Sequence, residues 1–191
     1  QRELRGIVLA GREAAPGGLA LPAAELEDTI YQIDRVAEGR LLALAERHLA
    51  ARHRISLVAE GIEPVELGPG REPRLAVIVD PIDGTRPLMH DKRSGWVLTG
   101  IAGAGGARLS DIFLAAMTEV PTTRQWRADQ YWAWKGGGAL GEAEDLLRGG
   151  PGRPLRPRPA QEAGLLHGYA QVARFFPGVK QELAAIEEEL F

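Results

Sequence analysis

Two carboxylates, Asp80 and Asp83, stand three residues apart in the segment DPIDGT, directly after the apolar run 75–79. Pro81 fixes its own backbone and holds Asp80 in an extended conformation, so both carboxylates can face one pocket. Hard divalent cations such as Mg2+ prefer oxygen ligands and need few carboxylates. The carbonyl of Ile82, between the two acids, is a further candidate ligand. The segment therefore predicts a Mg2+ site.

The residues after the second aspartate are suited to holding an anion. Gly84 and Thr85 come next, and Pro87 has the backbone that the first turn of a helix requires. The backbone amides of Gly84 and Thr85 could therefore face a phosphate group at a helix N-terminus. An Asp-Gly turn followed by a capping threonine is the structural alternative.

The carboxylates need a dry strand ahead of them, and the sequence predicts one. The segments RISLVAEG and RLAVIVD indicate two strands that each end in an acid, with IEPVELGPGREP as a loop between them. The run 75–79 does not alternate, which is typical of a strand covered on both faces. Asp80 would then emerge where the dry part of the sheet stops.

Helices are predicted before and after the strands. Residues 1–13 are expected to form a short helix, and apolar residues recur three or four apart over 28–51 and again over 178–190. Asp34 and Glu38, four residues apart, share a face of the second helix. Like charges so placed repel unless a cation or a donor lies nearby, and a solvated acidic edge is the alternative.

The remaining pattern predicts a meander. Over 95–139, short apolar and aromatic runs are broken by Gly, Pro and Asp, which indicates consecutive antiparallel strands. Residues 148–160, RGGPGRPLRPRPA, are expected to form a surface loop or linker. We expect one α+β domain over residues 1–191, layered, with helices packed on a largely antiparallel sheet.

The composition excludes several classes of protein. The 191 residues are 45% hydrophobic and 26% charged with a formal net charge of -3, so the chain has no basic field for a nucleic-acid polymer. The absence of cysteine excludes disulfides, a thiolate nucleophile and a cysteine zinc site. No apolar run approaches the roughly 20 residues that span a bilayer. We expect no membrane partner and a cytoplasmic location.

The hexapeptide DPIDGT, residues 80–85, resembles the metal-binding signature of the inositol monophosphatase superfamily of Mg2+-dependent, lithium-sensitive phosphatases. In that family a glutamate ends the preceding strand, and Glu60 in SLVAEG corresponds to it, 20 residues before Asp80. The resemblance extends over most of the chain. YQIDRVAEGRLLALAERHL resembles the family's second helix, with Asp34 at its polar position, and GWVLTGIA, MTEVPTTRQW and YWAWKGGGA resemble the strands after the signature.

The resemblance implies a set of metal ligands. Two or more Mg2+ ions per site would clamp the attacking water and the leaving alkoxide of a phosphate monoester. The ligands implied are Glu60, Asp80, Asp83 and the carbonyl oxygen of Ile82.

The resemblance also implies catalytic roles. Glu60 and Thr85 would orient and deprotonate the attacking water, with Asp34 as an outer partner of the site. The amides of Gly84 and Thr85 would hold the substrate phosphate.

Two features depart from the family pattern. The family usually follows the strand-ending glutamate with a second acid, whereas this chain has Gly61, and Glu63 is an acid that could replace it. Family members also continue past a helix like 178–190 into another α/β region, whose Trp-Asp motif gives a further metal carboxylate. None of the four tryptophans in this chain precedes an aspartate.

We therefore expect the N-terminal half of the inositol monophosphatase fold and a Mg2+-dependent hydrolase of a small phosphorylated sugar, inositol or nucleotide. The alternative is a noncatalytic metal- or phosphate-binding module, or a half-enzyme that needs a partner chain for the missing ligand. A fragment, one half of a split enzyme and a shortened relative all remain open. We expect a homo-oligomer or a partner that supplies the missing half, because uncovered strand edges and apolar surface favour association.

Overall fold

The computed structural model describes residues 1–14, 32–106, 108–162, 164–165, 171–172 and 178–190. The chain divides into two units, Gln1–Pro157 and Arg158–Phe191. The first unit contains all the candidate site residues, and the second contains one helix in its described part. A single domain over residues 1–191 stays a prediction.

The described residues of the first unit contain eight strands: β1 (Ile55–Ala59), β2 (Ile62–Leu67), β3 (Leu75–Asp83), β4 (Gly95–Gly103), β5 (Ile112–Val120), β6 (Arg127–Trp134), β7 (Gly138–Asp145) and β8 (Arg153–Leu155). They form one sheet in the order β2-β1-β3-β4-β5-β6-β7-β8. The pair β1 and β3 is parallel, and the other neighbouring pairs are antiparallel. The predicted antiparallel meander is confirmed as β4 to β7.

The helices of the first unit are α1 (Arg2–Ala14), α2 (Gln32–Ala45), which continues into a π-helical turn (Glu46–Ala50), and the short α3 (Thr85–Met89). The helix of the second unit is α4 (Lys180–Leu190). All three longer helices were predicted, although residues 28–31 of the second predicted helix lie outside the described part. None of the helices described has the length and apolar character needed to cross a bilayer.

The core of the first unit lies between these helices and one face of the sheet. α1 contacts α2 and β5, and α2 contacts β3. Side chains from both helices and from the central strands form one buried cluster, whose members include Leu4, Val8, Ile33, Ala37, Leu41, Ile55, Leu57, Val77, Val79 and Val97. The predicted α+β class, with helices packed on a largely antiparallel sheet, is confirmed.

Burial alternates along the central strands. Leu57 and Val77 are fully buried, whereas their neighbours Val58 and Ile78 are 45% and 50% exposed. The prediction that the run 75–79 is covered on both faces is therefore wrong for Ile78. Successive side chains of a strand point to opposite faces, and α1 and α2 both pack on the face that carries Leu57 and Val77.

Two segments predicted as loops contain strands. Glu60 and Gly61 form a two-residue turn between the paired residues Ala59 and Ile62, and the positive φ of Gly61, 73°, suits such a turn. β2 then occupies half of the predicted loop. It tolerates Pro64 because it lies at the edge of the sheet.

The segment 148–160 likewise contains the three-residue strand β8. β8 pairs with β7 at the other edge of the sheet. Pro154 fits there for the same reason, because an edge strand can leave one side of its backbone unpaired.

The one-sided core predicts a contrast between neighbouring residues of β1. Leu57→Ala should lower the free energy of unfolding by about 2–5 kcal/mol, because it opens a cavity in the core. Val58→Ala should cost under about 1 kcal/mol, since that side chain is half exposed. Urea denaturation followed by circular dichroism measures both values, and equal losses would contradict the one-sided burial of β1.

Candidate functional site

The parallel pairing of β1 and β3 brings two acids to one end of the sheet. Ala59 is in register with Val79, so the next residues, Glu60 and Asp80, follow at the same end. The amide of Glu60 donates a hydrogen bond to the carbonyl of Val79 over 3.3 Å, which holds the turn against β3. The carboxylates of Glu60 and Asp80 are close enough for the charge of Glu60 to act on Asp80.

A bulge in β3 brings the second aspartate to the first. Asp80 pairs with Leu98 and Asp83 pairs with Trp96, so three steps along β3 correspond to two along β4. In a regular strand, side chains three residues apart point to opposite faces, and the extra residue removes this offset. The charge of Asp83 accordingly acts on Asp80.

The crowding of acids changes the ionisation of Asp80. Burial, together with the negative charges of Glu60 and Asp83, raises the pKa of Asp80 from 3.8 to about 6. The amide of Ile82 opposes this shift, because it donates a hydrogen bond to Oδ1 of Asp80 over 3.0 Å. The carboxylate is thus held in place by the backbone and is costly to ionise without a compensating positive charge.

Thr85 connects α2 to the end of β3. Its hydroxyl lies 2.8 Å from Oδ1 of Asp34 and 2.8 Å from the carbonyl oxygen of Ile82, with donor geometry to both. A hydroxyl has one hydrogen, so the two acceptors compete for it, and its oxygen keeps lone pairs that can accept. Asp34 is in the first turn of α2, which contacts β3. The helix therefore supplies one of the two acceptors that orient Thr85.

The turn at Gly84 separates the acids from α3. Gly84 has φ 80° and ψ 32°, a left-handed conformation that disfavours other residues. The guanidinium of Arg93 lies against this turn, 3.2 Å through Nη2 from where a Cβ of residue 84 would be. Arg93 is exposed, and sequence reasoning missed it, because no local pattern relates it to the DPIDGT segment.

Glu38, one turn after Asp34 on α2, also reaches the site. A Cβ on Gly61 would overlap the carboxylate of Glu38 and lie 3.0 Å from its Cγ. Burial and the charge of Asp34 raise the pKa of Glu38, Arg35 lowers it, and Glu60 raises it further. Glu63, suggested from the sequence as a replacement acid, is exposed on β2.

The donor set suits a hard divalent cation. Glu60, Asp80 and Asp83 supply carboxylate oxygens, and the Ile82 carbonyl has a second lone pair beyond the one that Thr85 engages. Within the described residues, no three Asp, Glu, His or Cys side chains already converge as a metal-binding group. Mg2+ typically takes one or two carboxylates and completes its shell with water and substrate phosphate, so the donor types fit this ion.

The structure thus brings most of the predicted site residues to one end of the β1–β3 pair, whereas Glu63 is exposed on β2. The residues brought together are Asp34, Glu60, Asp80, Ile82, Asp83, Gly84 and Thr85. Their roles in ligation, catalysis and phosphate binding stay predictions.

The raised pKa of Asp80 predicts a pH-dependent gain in stability for Asp80→Asn in chelator. The pKa of Asp80 in the folded protein, about 6, exceeds the ordinary value of 3.8, so ionisation of Asp80 favours unfolding. The stability of the wild type therefore falls as the pH rises from 3.8 to about 6. The variant should be more stable at pH 7 by on the order of 1 kcal/mol after allowance for solvent screening. The difference should vanish below about pH 4. Urea titrations from pH 4 to 7 test this, and a constant offset would count against it.

Solved phosphatase structures match the chain. The fructose-1,6-bisphosphatase of Leishmania major matches with a TM-score of 0.59 and 16% identity, over 82% of this chain and 50% of that chain. The Thermotoga maritima IMPase matches with a TM-score of 0.55 and 16% identity, over 85% of this chain and 52% of that chain. Staphylococcal inositol monophosphatase-1 matches with a TM-score of 0.51 and 16% identity, over 72% of this chain and 46% of that chain.

The chain spans about half the length of these solved structures. No protein-family model and no curated protein matches the sequence. At identities of 16% the likeness concerns the fold. The resemblance first suggested by the DPIDGT segment is thus supported by the architecture, and the chain has the fold of the inositol monophosphatase-like phosphatases.

Proposed function

We propose that this chain forms the metal-binding half of a Mg2+-dependent phosphate-monoester hydrolase. The observation that carries the proposal is the parallel register that makes Glu60 and Asp80 neighbours. The bulge then adds Asp83 and the Ile82 carbonyl to the same set of oxygen donors. These four residues would hold two or more Mg2+ ions.

The chemistry follows from the side chains around these donors. When bound, Mg2+ would lower the pKa of the attacking water and neutralise charge on the phosphoryl oxygens. Glu60 would take the proton of that water. The oxygen of Thr85 would accept the second hydrogen of the water while the hydroxyl hydrogen of Thr85 is directed to Asp34. Asp34 would thus act by orienting Thr85.

The substrate is proposed to be a small phosphorylated sugar, inositol or nucleotide. The amides of Gly84 and Thr85 would bind its phosphate, and the exposed guanidinium of Arg93 beside Gly84 would add positive charge. The contacts to the alcohol part, and a further metal ligand, would come from a segment or partner outside the described residues. We also propose that the protein is cytoplasmic. It would act as a homo-oligomer or with a partner that supplies the half with these remaining contacts.

Phosphate release is the first test. The 191-residue chain, incubated with a panel of small phosphate monoesters, should release phosphate with Mg2+ and not in chelator. Asp80→Asn and Asp83→Asn should each lower the release by at least about 100-fold, because each removes a charge from the proposed cation site. Val58→Ala, which changes the half-exposed face of β1, is the matched control and should keep wild-type activity.

Release that is unaffected by chelator, or that persists at the wild-type rate in either aspartate variant, would refute the metal-dependent mechanism.

Thr85 should act on turnover rather than on substrate affinity. Thr85→Ala should lower kcat about 10²- to 10⁴-fold with little change in KM, because the hydroxyl is proposed to position the water rather than the bound substrate. Thr85→Ser keeps the hydroxyl and should retain most of the activity. Steady-state kinetics of the three proteins decide the matter, and equal losses in the two variants would assign Thr85 a packing or capping role instead.

A noncatalytic module is the second candidate. It is favoured by the oxygen donors Glu60, Asp80 and Asp83, which could bind a cation without catalysing any reaction. Mg2+ that raises the melting temperature of wild type and not of Asp80→Asn, with no phosphate release on any substrate, would support this candidate.

A further inference from the structure

A glycine in the β1–β2 turn makes room for a carboxylate from α2. Gly61 has φ 73°, and a Cβ built on it would overlap the carboxylate of Glu38. Any larger residue at 61 would therefore have to displace Glu38, and it would also strain the left-handed backbone. The space beside Glu60 is thus filled by a side chain that comes from another element.

The fold explains why Glu38 reaches this turn. α2 contacts β3, and its residue Ala37 is fully buried in the core, so the helix is fixed against the sheet. Asp34 and Glu38 lie one turn apart on one helix face. Asp34 accepts a hydrogen bond from the hydroxyl of Thr85. Glu38, one turn further along the helix, extends over Gly61 and is close enough to Asp34 and Glu60 to feel both charges.

This arrangement is unfavourable for the protein alone. The carboxylates of Asp34 and Glu60 both repel that of Glu38, and the charge of Arg35 opposes this repulsion. Repulsion would push a flexible side chain toward solvent, yet the Glu38 carboxylate lies in the space that the missing Cβ of Gly61 leaves. A divalent cation at the proposed site would turn this repulsion into attraction.

We propose that Glu38, which occupies the space left by Gly61, strengthens divalent-cation binding as a positioning residue that adds negative charge beside Glu60. The inference rests on the proposed function, because it assumes the cation site formed by Glu60, Asp80 and Asp83. The class of ligand is a hard divalent cation such as Mg2+ or Mn2+.

The direct test is a Mn2+ titration of the chelator-treated 191-residue chain, with free Mn2+ measured by electron paramagnetic resonance. Glu38→Gln should weaken Mn2+ binding about 10- to 100-fold, the usual effect of removing a group that supports metal ligands. Glu66→Gln removes an exposed carboxylate from β2, where it pairs with Arg54, and should leave binding unchanged. Asp80→Asn should abolish tight binding.

The role of the space left by Gly61 is tested by a double-mutant cycle. Gly61→Ala should also weaken Mn2+ binding, because the new methyl group displaces the Glu38 carboxylate. The double variant, Gly61→Ala with Glu38→Gln, should bind Mn2+ no more than about twofold more weakly than the single variant with the lower Mn2+ affinity, since both changes act through one carboxylate. Additive losses would contradict the pairing of Glu38 with Gly61.

A purely structural role makes the opposite prediction for stability. If Glu38 serves the cation, Glu38→Gln should keep or raise the melting temperature without cation, because it removes like-charge repulsion. A lower melting temperature with unchanged Mn2+ affinity would overturn the inference. Glu38→Asp, which shortens the carboxylate by one methylene, provides a second variant and should also weaken binding.

The outcomes separate this inference from the proposed function. Wild-type affinity in Glu38→Gln and Glu38→Asp, with binding lost in Asp80→Asn, would overturn the role of Glu38 and leave the cation site standing. A wild-type chain that binds no Mn2+ would overturn both.

Discussion

The parallel pairing of β1 with β3 is the constraint on which the site depends. Leu57 and Val77 are paired in this register and both are fully buried, so the core itself fixes the alignment of the strands. A slip by one residue would move one strand's buried side chains to the other face. The same register places Glu60 beside Asp80. The hydrophobic contact that stabilises the sheet therefore also sets the position of the charged groups, and the two cannot vary independently.

The charged groups oppose folding at neutral pH. The pKa of Asp80 and that of Glu38 are both raised, chiefly by burial, so ionisation of each group is less favourable in the folded protein than in the unfolded chain. The core between the helices and the sheet must offset this cost. Clusters with such perturbed carboxylates are typical of functional sites, where a bound ion or substrate relieves the repulsion. A cost without any such relief would have no evident advantage for the protein.

The sequence predicted the elements whose signals are local. The helices and the strands β4 to β7 follow from the apolar periodicity and from turn residues, and the acids follow from their places at strand ends. β2 was missed because its proline and its acids resemble a loop, and only its position at the sheet edge makes the proline acceptable. The exposure of Ile78 was missed because an uninterrupted apolar run does not reveal which face the helices cover.

The residues of the site also differ in whether the local sequence could reveal them. Asp80, Asp83 and Thr85 are recognisable because they are close together in one segment, whereas Glu38 and Gly61 meet only when α2 lies on the sheet. In the sequence, Gly61 stands where the family usually has a second acid. In the fold, the lack of a side chain at Gly61 leaves room for the carboxylate of Glu38. Since that carboxylate is carried by α2, the charge around Glu60 depends on how the helix packs. Core substitutions that shift α2 would therefore change the site without touching any residue in it.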